Sequence, residues 1–245
     1  MNREGASEMR IYAHRGVSAH YPENTLAAFA RAIELGVDGI ELDVRTSADG
    51  VPVVIHDDTV ERTTNAIGSI ADFTAKQLNL LDAGHRQHVP TLAAVLKLAE
   101  GKARVNIELK ESAVVPAVLE VTSSFDNLDW FASGSDWDAL KQLRALDPGS
   151  DVHPLTVGNP LGMDSTGDLA RAIEFVINHG GSGVSIWEGS LDQVSVDLIH
   201  GRGLKVWAWT VNDGDRACEL AQLGVDAVCT DDPELVRNAV GLGIS

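Results

Sequence analysis

Residues 39–58, GIELDVRTSADGVPVVIHDD, decide how the rest of the chain is read. The run 39–44 sets two carboxylates, Glu41 and Asp43, among β-favouring apolar residues, and 51–56, VPVVIH, is a second β-rich run ending at His56. Roughly four to six polar residues separate the runs, far fewer than the dozen or so that a parallel crossover needs, so they form an antiparallel hairpin. Centred between Asp49 and Gly50, the hairpin pairs residues whose numbers sum to about 99, which sets Asp43 opposite His56. Side chains alternate along a strand, so Glu41 and Asp43 share a face. Two anionic ligands and an imidazole on one patch call for a cation.

Working outward, strand-like runs lie near 10–13, 39–44, 104–109, 130–133, 152–156, 183–186, 204–209 and 226–229. Helical patterns follow at about 25–35, 91–100, 113–123, 136–146, 167–178, 193–201, 214–222 and 233–240. With 51–56 taken as a hairpin arm, eight βα units remain, and the chain reads as an α/β protein with a (β/α)8 TIM-type barrel rather than a doubly wound sheet. Glycines 36, 101, 203 and 224 fit helix stops, and Asn24 or Thr25 fits an N-cap. Residues 45–90 form a small insertion after the second strand. No linker interrupts the rest, so 1–245 is expected to be one domain.

Barrel enzymes carry their chemistry at the carboxyl ends of the strands. His14 ends the first strand, Glu41 and Asp43 the second, Glu108 and Lys110 the third, and the hairpin returns His56 to the same mouth. Taken singly, a strand carboxylate is ordinarily a solvated edge residue and a histidine a satisfied structural group. Several charges at buried strand ends are too costly to keep without pairing or a metal. Glu41, Asp43 and Glu108 are the candidate ligands, and oxygen donors suit Mg²⁺ or Ca²⁺ better than zinc. His85 and His88 offer a lesser zinc reading that a solvated loop explains more simply.

Composition narrows the function. A formal net charge of −17 argues against nucleic-acid binding and against stable docking on anionic membrane, since both want basic patches. It also demands a locally positive site for any anionic substrate. With 44% apolar residues the chain can bury a sizeable core. Its two cysteines, Cys218 and Cys229, lack zinc-ligand spacing and read as small core residues. The start, MNREGASEMR, has no apolar segment of a signal peptide, and no apolar run reaches the ~18 residues of a membrane span, so a cytoplasmic protein is expected.

His14-Arg15-Gly16, Pro22-Glu23-Asn24-Thr25, Glu41-Leu42-Asp43-Val44-Arg45 and Asp49-Gly50 through His56-Asp57 come first in an ordered series. Arg62-Thr63-Thr64-Asn65, Pro90-Thr91-Leu92, Ile107-Glu108-Leu109-Lys110 and Trp209-Thr210-Val211-Asn212 complete it. Together these resemble the signature of the glycerophosphodiester phosphodiesterases, over nearly the whole chain. The resemblance implies a barrel related to phosphatidylinositol-specific phospholipase C and a small glycerophosphodiester substrate. It implies metal-dependent release of glycerol 3-phosphate, through attack of the substrate's own 2-hydroxyl and a cyclic phosphate. His14 and His56 would share the proton transfers in an order left open. Arg15 and Lys110 would bind phosphate, and Trp209 would pack against substrate or simply fill core. Glu23, Arg62 and Asn65 match as loop-ordering residues.

The chain departs from the family's usual pattern at Ala132-Ser133-Gly134 and in the short segment 81–90. Both touch substrate-facing walls and leave the leaving alcohol open, with a lysophospholipase D as the related alternative. A Schiff-base aldolase using Lys110 would leave both histidines without a task.

Overall fold

A computed structural model describes residues 9–157 and 165–241, with backbone alone at 165–167. Of the amino-terminal stretch read for a leader, only Met9 and Arg10 lie within the described residues. The strands are β1 (Arg10–His14), β2 (Gly39–Thr46), β3 (Pro52–Val54), β4 (Arg104–Leu109), β5 (Trp130–Gly134), β6 (Val152–Thr156), β7 (Gly183–Trp187), β8 (Lys205–Trp209) and β9 (Ala227–Thr230). The helices are α1 (Leu26–Glu34), α2 (Ala75–Leu78), α3 (Leu92–Ala99), α4 (Val115–Thr122), α5 (Trp137–Leu146), α6 (Ser165–His179), α7 (Gln193–His200), α8 (Gly214–Leu223) and α9 (Pro233–Ala239). Eight parallel strands run β1-β2-β4-β5-β6-β7-β8-β9, and β9 pairs with β1 to close the ring. This is the TIM barrel that the strand and helix periods predict.

Local chemistry sets the helix ends. Thr25, not Asn24, caps α1 by accepting from the Ala28 amide, and Thr91 and Asp213 cap α3 and α8 in the same way. Gly36, Gly101, Gly203 and Gly224 all take the left-handed φ expected of helix stops. Ile11, Ile40, Leu42, Val105 and Ile107 face outward and join Phe29, Val95 and Leu96 of the helices in one core. The alternate positions point inward.

Inside the barrel, one layer below the strand ends, Tyr12, Phe131 and Trp207 form a buried aromatic plug. The Tyr12 and Trp207 rings lie 4.4 Å apart, Phe131 and Trp207 4.7 Å, and the His153 ring sits 4.4 Å from Phe131. The plug fits because β2 begins with glycine. A Cβ on Gly39 would lie 2.1 Å from the Tyr12 ring and 2.6 Å from the Arg104 carbonyl.

The hairpin is present, but its register differs from expectation by one. Val44 pairs with Val54, Arg45 with Val53 and Thr46 with Pro52, and the Ile55 amide donates to the Asp43 carbonyl. Asp43 therefore stands opposite Ile55, not His56. Five residues, 47–51, make the turn, so its centre falls on Asp49 rather than between two residues. Ser47 closes it, donating to Val51 O and accepting from Val51 N. His56 reaches the mouth by another route: β3 stops at Val54 and the chain bends at 56–58. The segment between β2 and α3 has its own small core of Val53, Ile55, Val60, Ile70, Leu78 and Val89.

Gly39→Ala tests the plug. The new methyl meets both a buried ring and backbone, so overpacking should cost about 1–3 kcal/mol and lower Tm by several degrees in a thermal melt. An unchanged Tm would show that Tyr12 relocates freely and that the plug is not tightly packed.

Candidate active site

The strand ends converge as the barrel rule requires. The registers His14 to Glu41 and Asp43 to Glu108 place β1, β2 and β4 side by side at the mouth. His14, Arg15, Glu41, His56, Glu108, Lys110 and Trp209 line one cavity of about 310 Å³. Asp43 does not line this cavity and is wholly buried. One oxygen each from Glu41, Asp43 and Glu108 lies within 4.8 Å of the others.

Asp43 holds the cluster together. Asn24 donates to its Oδ2 at 2.8 Å, Arg15 Nε lies 3.1 Å from the same oxygen, and Lys110 Nζ lies 2.8 Å from Oδ1. Burial would raise this carboxyl, but the Lys110 and Arg15 cations overcome it and hold the pKa well below the usual range. Lys110 also pairs with Glu108, and Arg15 reaches Glu23 at 3.0 Å. Arg15 and Asn24 both adopt left-handed φ, near 56° and 57°. The strain is held by hydrogen bonds from Arg15 N to Glu41 O and from Asn24 N to Arg15 O, each 3.0 Å.

Glu41 differs from Asp43. Its Oε1 is buried without a hydrogen-bond partner, and burial, with Asp43 adding, pushes its pKa up to about 8. Glu108 is shifted up for the same two reasons. An orphaned, buried carboxylate oxygen beside two more acidic side chains is a donor set that a hard divalent cation fits. His85 and His88 do not join it: His88 Nδ1 donates to the Leu81 carbonyl at 2.8 Å instead.

Both histidines carry a carboxylate on Nδ1. His14 Nδ1 lies 2.6 Å from Asp231 Oδ1, and His56 Nδ1 lies 2.6 Å from Asp57 Oδ1. Burial would lower the His14 pKa, but Asp231 and the Glu41 charge raise it. Ser18 and Asn212 donate to Asp231, at 2.9 and 2.5 Å. Arg62 pairs with Asp57 and holds that carboxyl down near about 2. Asp231 was not singled out from the sequence. It directly follows β9, so applying the strand-end rule to the last strand would have found it.

The Lys110 pKa is raised, against the pull of burial, by the Asp43 and Glu108 charges, the opposite of what an amine nucleophile needs. Cys229 lines the cavity, but burial pushes its thiol well up. Trp209 faces the cavity with a buried, partnerless Nε1, whereas Trp207 belongs to the plug.

The chain is similar to known proteins over nearly its whole length. The model of the Glycerophosphoryl diester phosphodiesterase family matches residues 14–235. YhdW of Bacillus subtilis (strain 168), provisionally named a glycerophosphodiester phosphodiesterase, is 36% identical, over 93% of this chain and 96% of its own. The glycerophosphodiester phosphodiesterase of Caldanaerobacter subterraneus is 34% identical over 95% and 98%. A phosphodiesterase of Oleispira antarctica, solved with its product sn-glycerol-3-phosphate, superposes with a TM-score of 0.86 at 30% identity, covering 96% of this chain and 97% of that one. Among the described residues, no helix is long and apolar enough to cross a membrane.

The Glu41 shift sets a pH dependence. A carboxyl at about 8 in the folded, metal-free protein and 4.5 ordinarily stabilises the fold below the lower value and loses that contribution as pH rises to the upper. In chelator, wild type should therefore lose Tm relative to Glu41→Gln as pH rises from about 5 to 8. Added divalent cation should raise Tm most at the upper end, where no proton has to be displaced. A wild-type-minus-variant difference that stays flat across this window overturns the assignment.

Proposed function

The chain belongs to the glycerophosphoryl diester phosphodiesterase family, a family of hydrolases, and we propose that it cleaves glycerophosphodiesters to glycerol 3-phosphate and an alcohol. One observation carries the reading. Two histidines, each with Nδ1 held by a carboxylate, line the same cavity as Glu41 and Glu108, whose cluster with the buried Asp43 is flanked by Arg15 and Lys110.

Glu41, Asp43 and Glu108 would hold a divalent cation, Mg²⁺ or Ca²⁺, which supplies charge neutralisation for the phosphoryl oxygens. The rest of the reaction belongs to side chains. Arg15 and Lys110 orient the phosphate from the cavity wall. Because Asp231 and Asp57 occupy Nδ1 of the two histidines, Nε2 is the atom that exchanges protons in each. One histidine takes the proton of the substrate's 2-hydroxyl as that oxygen attacks phosphorus. The other gives a proton to the departing alkoxide as its P–O bond breaks. Water then opens the cyclic phosphate with the two roles reversed, leaving glycerol 3-phosphate. Trp209 packs beside the substrate.

A panel of glycerophosphodiesters, assayed for glycerol 3-phosphate with and without chelator, tests the reaction and the metal together. Release from at least one member, abolished by chelator and restored by Mg²⁺ or Ca²⁺, is expected. Full activity after chelation removes the metal, and turnover confined to lysophospholipids moves the substrate class.

The histidines are tested separately. His14→Ala and His56→Ala should each lower kcat roughly 10²–10⁴-fold with little change in KM, since proton transfer acts in the transition state. The double variant should lose less than the product of the two. Arg15→Ala and Lys110→Ala should raise KM as well. Wild-type kcat in His56→Ala would defeat the two-histidine mechanism and leave the barrel untouched.

A further inference from the structure

Arg62 lies in the insertion, does not line the cavity, and grips two carboxylates at once. Its Nε and Nη2 donate to Asp57 Oδ2 and Oδ1 at 2.5 and 3.1 Å. Its Nη1 and Nη2 donate to Glu23 Oε2 and Oε1 at 2.7 and 2.9 Å. Asp57 in turn holds His56, and Glu23 Oε1 accepts from Arg15 at 3.0 Å. An unbroken chain of charged contacts therefore runs from His56 through Asp57, Arg62 and Glu23 to Arg15, and from there to Asp43.

The two ends of this chain have different supports. Arg15 is fixed by the barrel through the backbone bond from its N–H to Glu41 O of β2. His56 sits on a bend past the end of β3; its carbonyl accepts from Arg45 Nε of β2 at 2.7 Å, a bond that holds the backbone there but does not set the direction of the imidazole. Something must tie the insertion's imidazole to the barrel's charges, and a planar guanidinium with two forks can set both distance and orientation.

Arg62 is not needed to build the turn that carries it. Val60 is buried in the insertion core, and the turn is closed by Val60 N to Gly68 O at 3.1 Å, Thr64 N to Val60 O at 3.0 Å and Asn65 N to Asp82 O at 3.1 Å. The Arg62 side chain is 46% exposed, and ion pairs so placed contribute little to stability. Their geometry is what remains for them to supply.

We infer that Arg62 is a positioning residue of the proposed phosphodiesterase reaction, clamping the His56–Asp57 pair at a fixed offset from Arg15. The inference rests on that reading of function. Without the clamp, Asp57 and the imidazole would swing together, and Glu23 would be free to cover Arg15 more fully. Lysine cannot replace it, because a single ammonium cannot fork to both carboxylates.

The test is steady-state kinetics of Arg62→Ala and Arg62→Lys on a glycerophosphodiester that wild type turns over. It adds millimolar guanidinium as a rescue agent, thermal melts, and the same alanine change in a His56→Ala background. Arg62→Ala should lose roughly 10- to 100-fold in kcat and raise KM, with Tm near wild type. Guanidinium should restore part of the loss and lysine little of it. In the His56→Ala background the further loss of kcat should largely vanish, because the partner it positions is gone. Wild-type constants in Arg62→Ala overturn the inference. So does an equal loss in both backgrounds, or a loss that tracks a fall in Tm without rescue. Wild type is the reference arm: no turnover there overturns the functional reading and this inference with it, whereas active wild type with an indifferent Arg62→Ala overturns this inference alone.

Discussion

The structure depends on a carboxylate shut away from the surface. Asp43 is wholly buried, and burial of a charge is tolerated only with close, well-aligned partners. Meeting that condition shapes everything nearby. Arg15 must arrive from the end of β1, which requires the left-handed turn at Arg15 and the close packing of Gly16 on Ala28. Asn24 must reach from the loop before α1, and takes a left-handed φ to do so. Lys110 must follow β4 in the register that sets Glu108 beside Asp43. A cluster of this kind is stable as a set and fragile to loss of any member, since removing one partner leaves a buried charge exposed to its full desolvation penalty.

The two imidazoles reach the cavity from different structural sources. His14 stands on a barrel strand, and its carboxylate, Asp231, follows the strand beside it. His56 belongs to an insertion with a separate core, and its carboxylate is its own neighbour in sequence. Parallel strand pairing aligns the first pair; side-chain ion pairs align the second. The barrel half of the site is thus set by backbone hydrogen bonds, which tolerate surface change well. The insertion half is set by charges at half-exposed positions, which respond to salt and to single substitutions.

Most of this architecture was legible in the sequence, for identifiable reasons. Strands buried on both faces read as apolar runs, capping threonines and aspartates mark helix starts, and glycines 36, 101, 203 and 224 mark their ends. The hairpin was legible but not its register. Turn length alone leaves the choice between an even and an odd loop open, and the Ser47 side chain that selects five residues bonds to backbone in a way no pattern reports. The carboxylates and histidines were found because strand ends gather them. Asp231 follows the last strand, the one end to which that rule was not carried; its tie to His14, 217 residues away, leaves no local pattern. Gly39 was equally silent: its need for no side chain arises from the Tyr12 ring on the adjacent strand, a contact between residues far apart in sequence. Glu41 and Asp43 look alike in the sequence, yet one is neutralised by cations and the other is left with a partnerless oxygen.

The aromatic plug makes the barrel a blind alley. Tyr12, Phe131 and Trp207 are buried across the lower interior and, among the described residues, floor the cavity above them on the side away from the carboxyl-end mouth. Entry and exit therefore share one doorway, and traffic through it is sequential. Under the proposed chemistry the alcohol, which carries no phosphate for Arg15 and Lys110 to hold, would depart first, while glycerol 3-phosphate would stay among those two cations until it, too, left by the same opening. Until then no new substrate can enter. A closed floor would thus turn a packing feature into a kinetic one: under that chemistry the phosphorylated product would compete directly with substrate, and turnover would depend on how quickly the surrounding solution carries that product away.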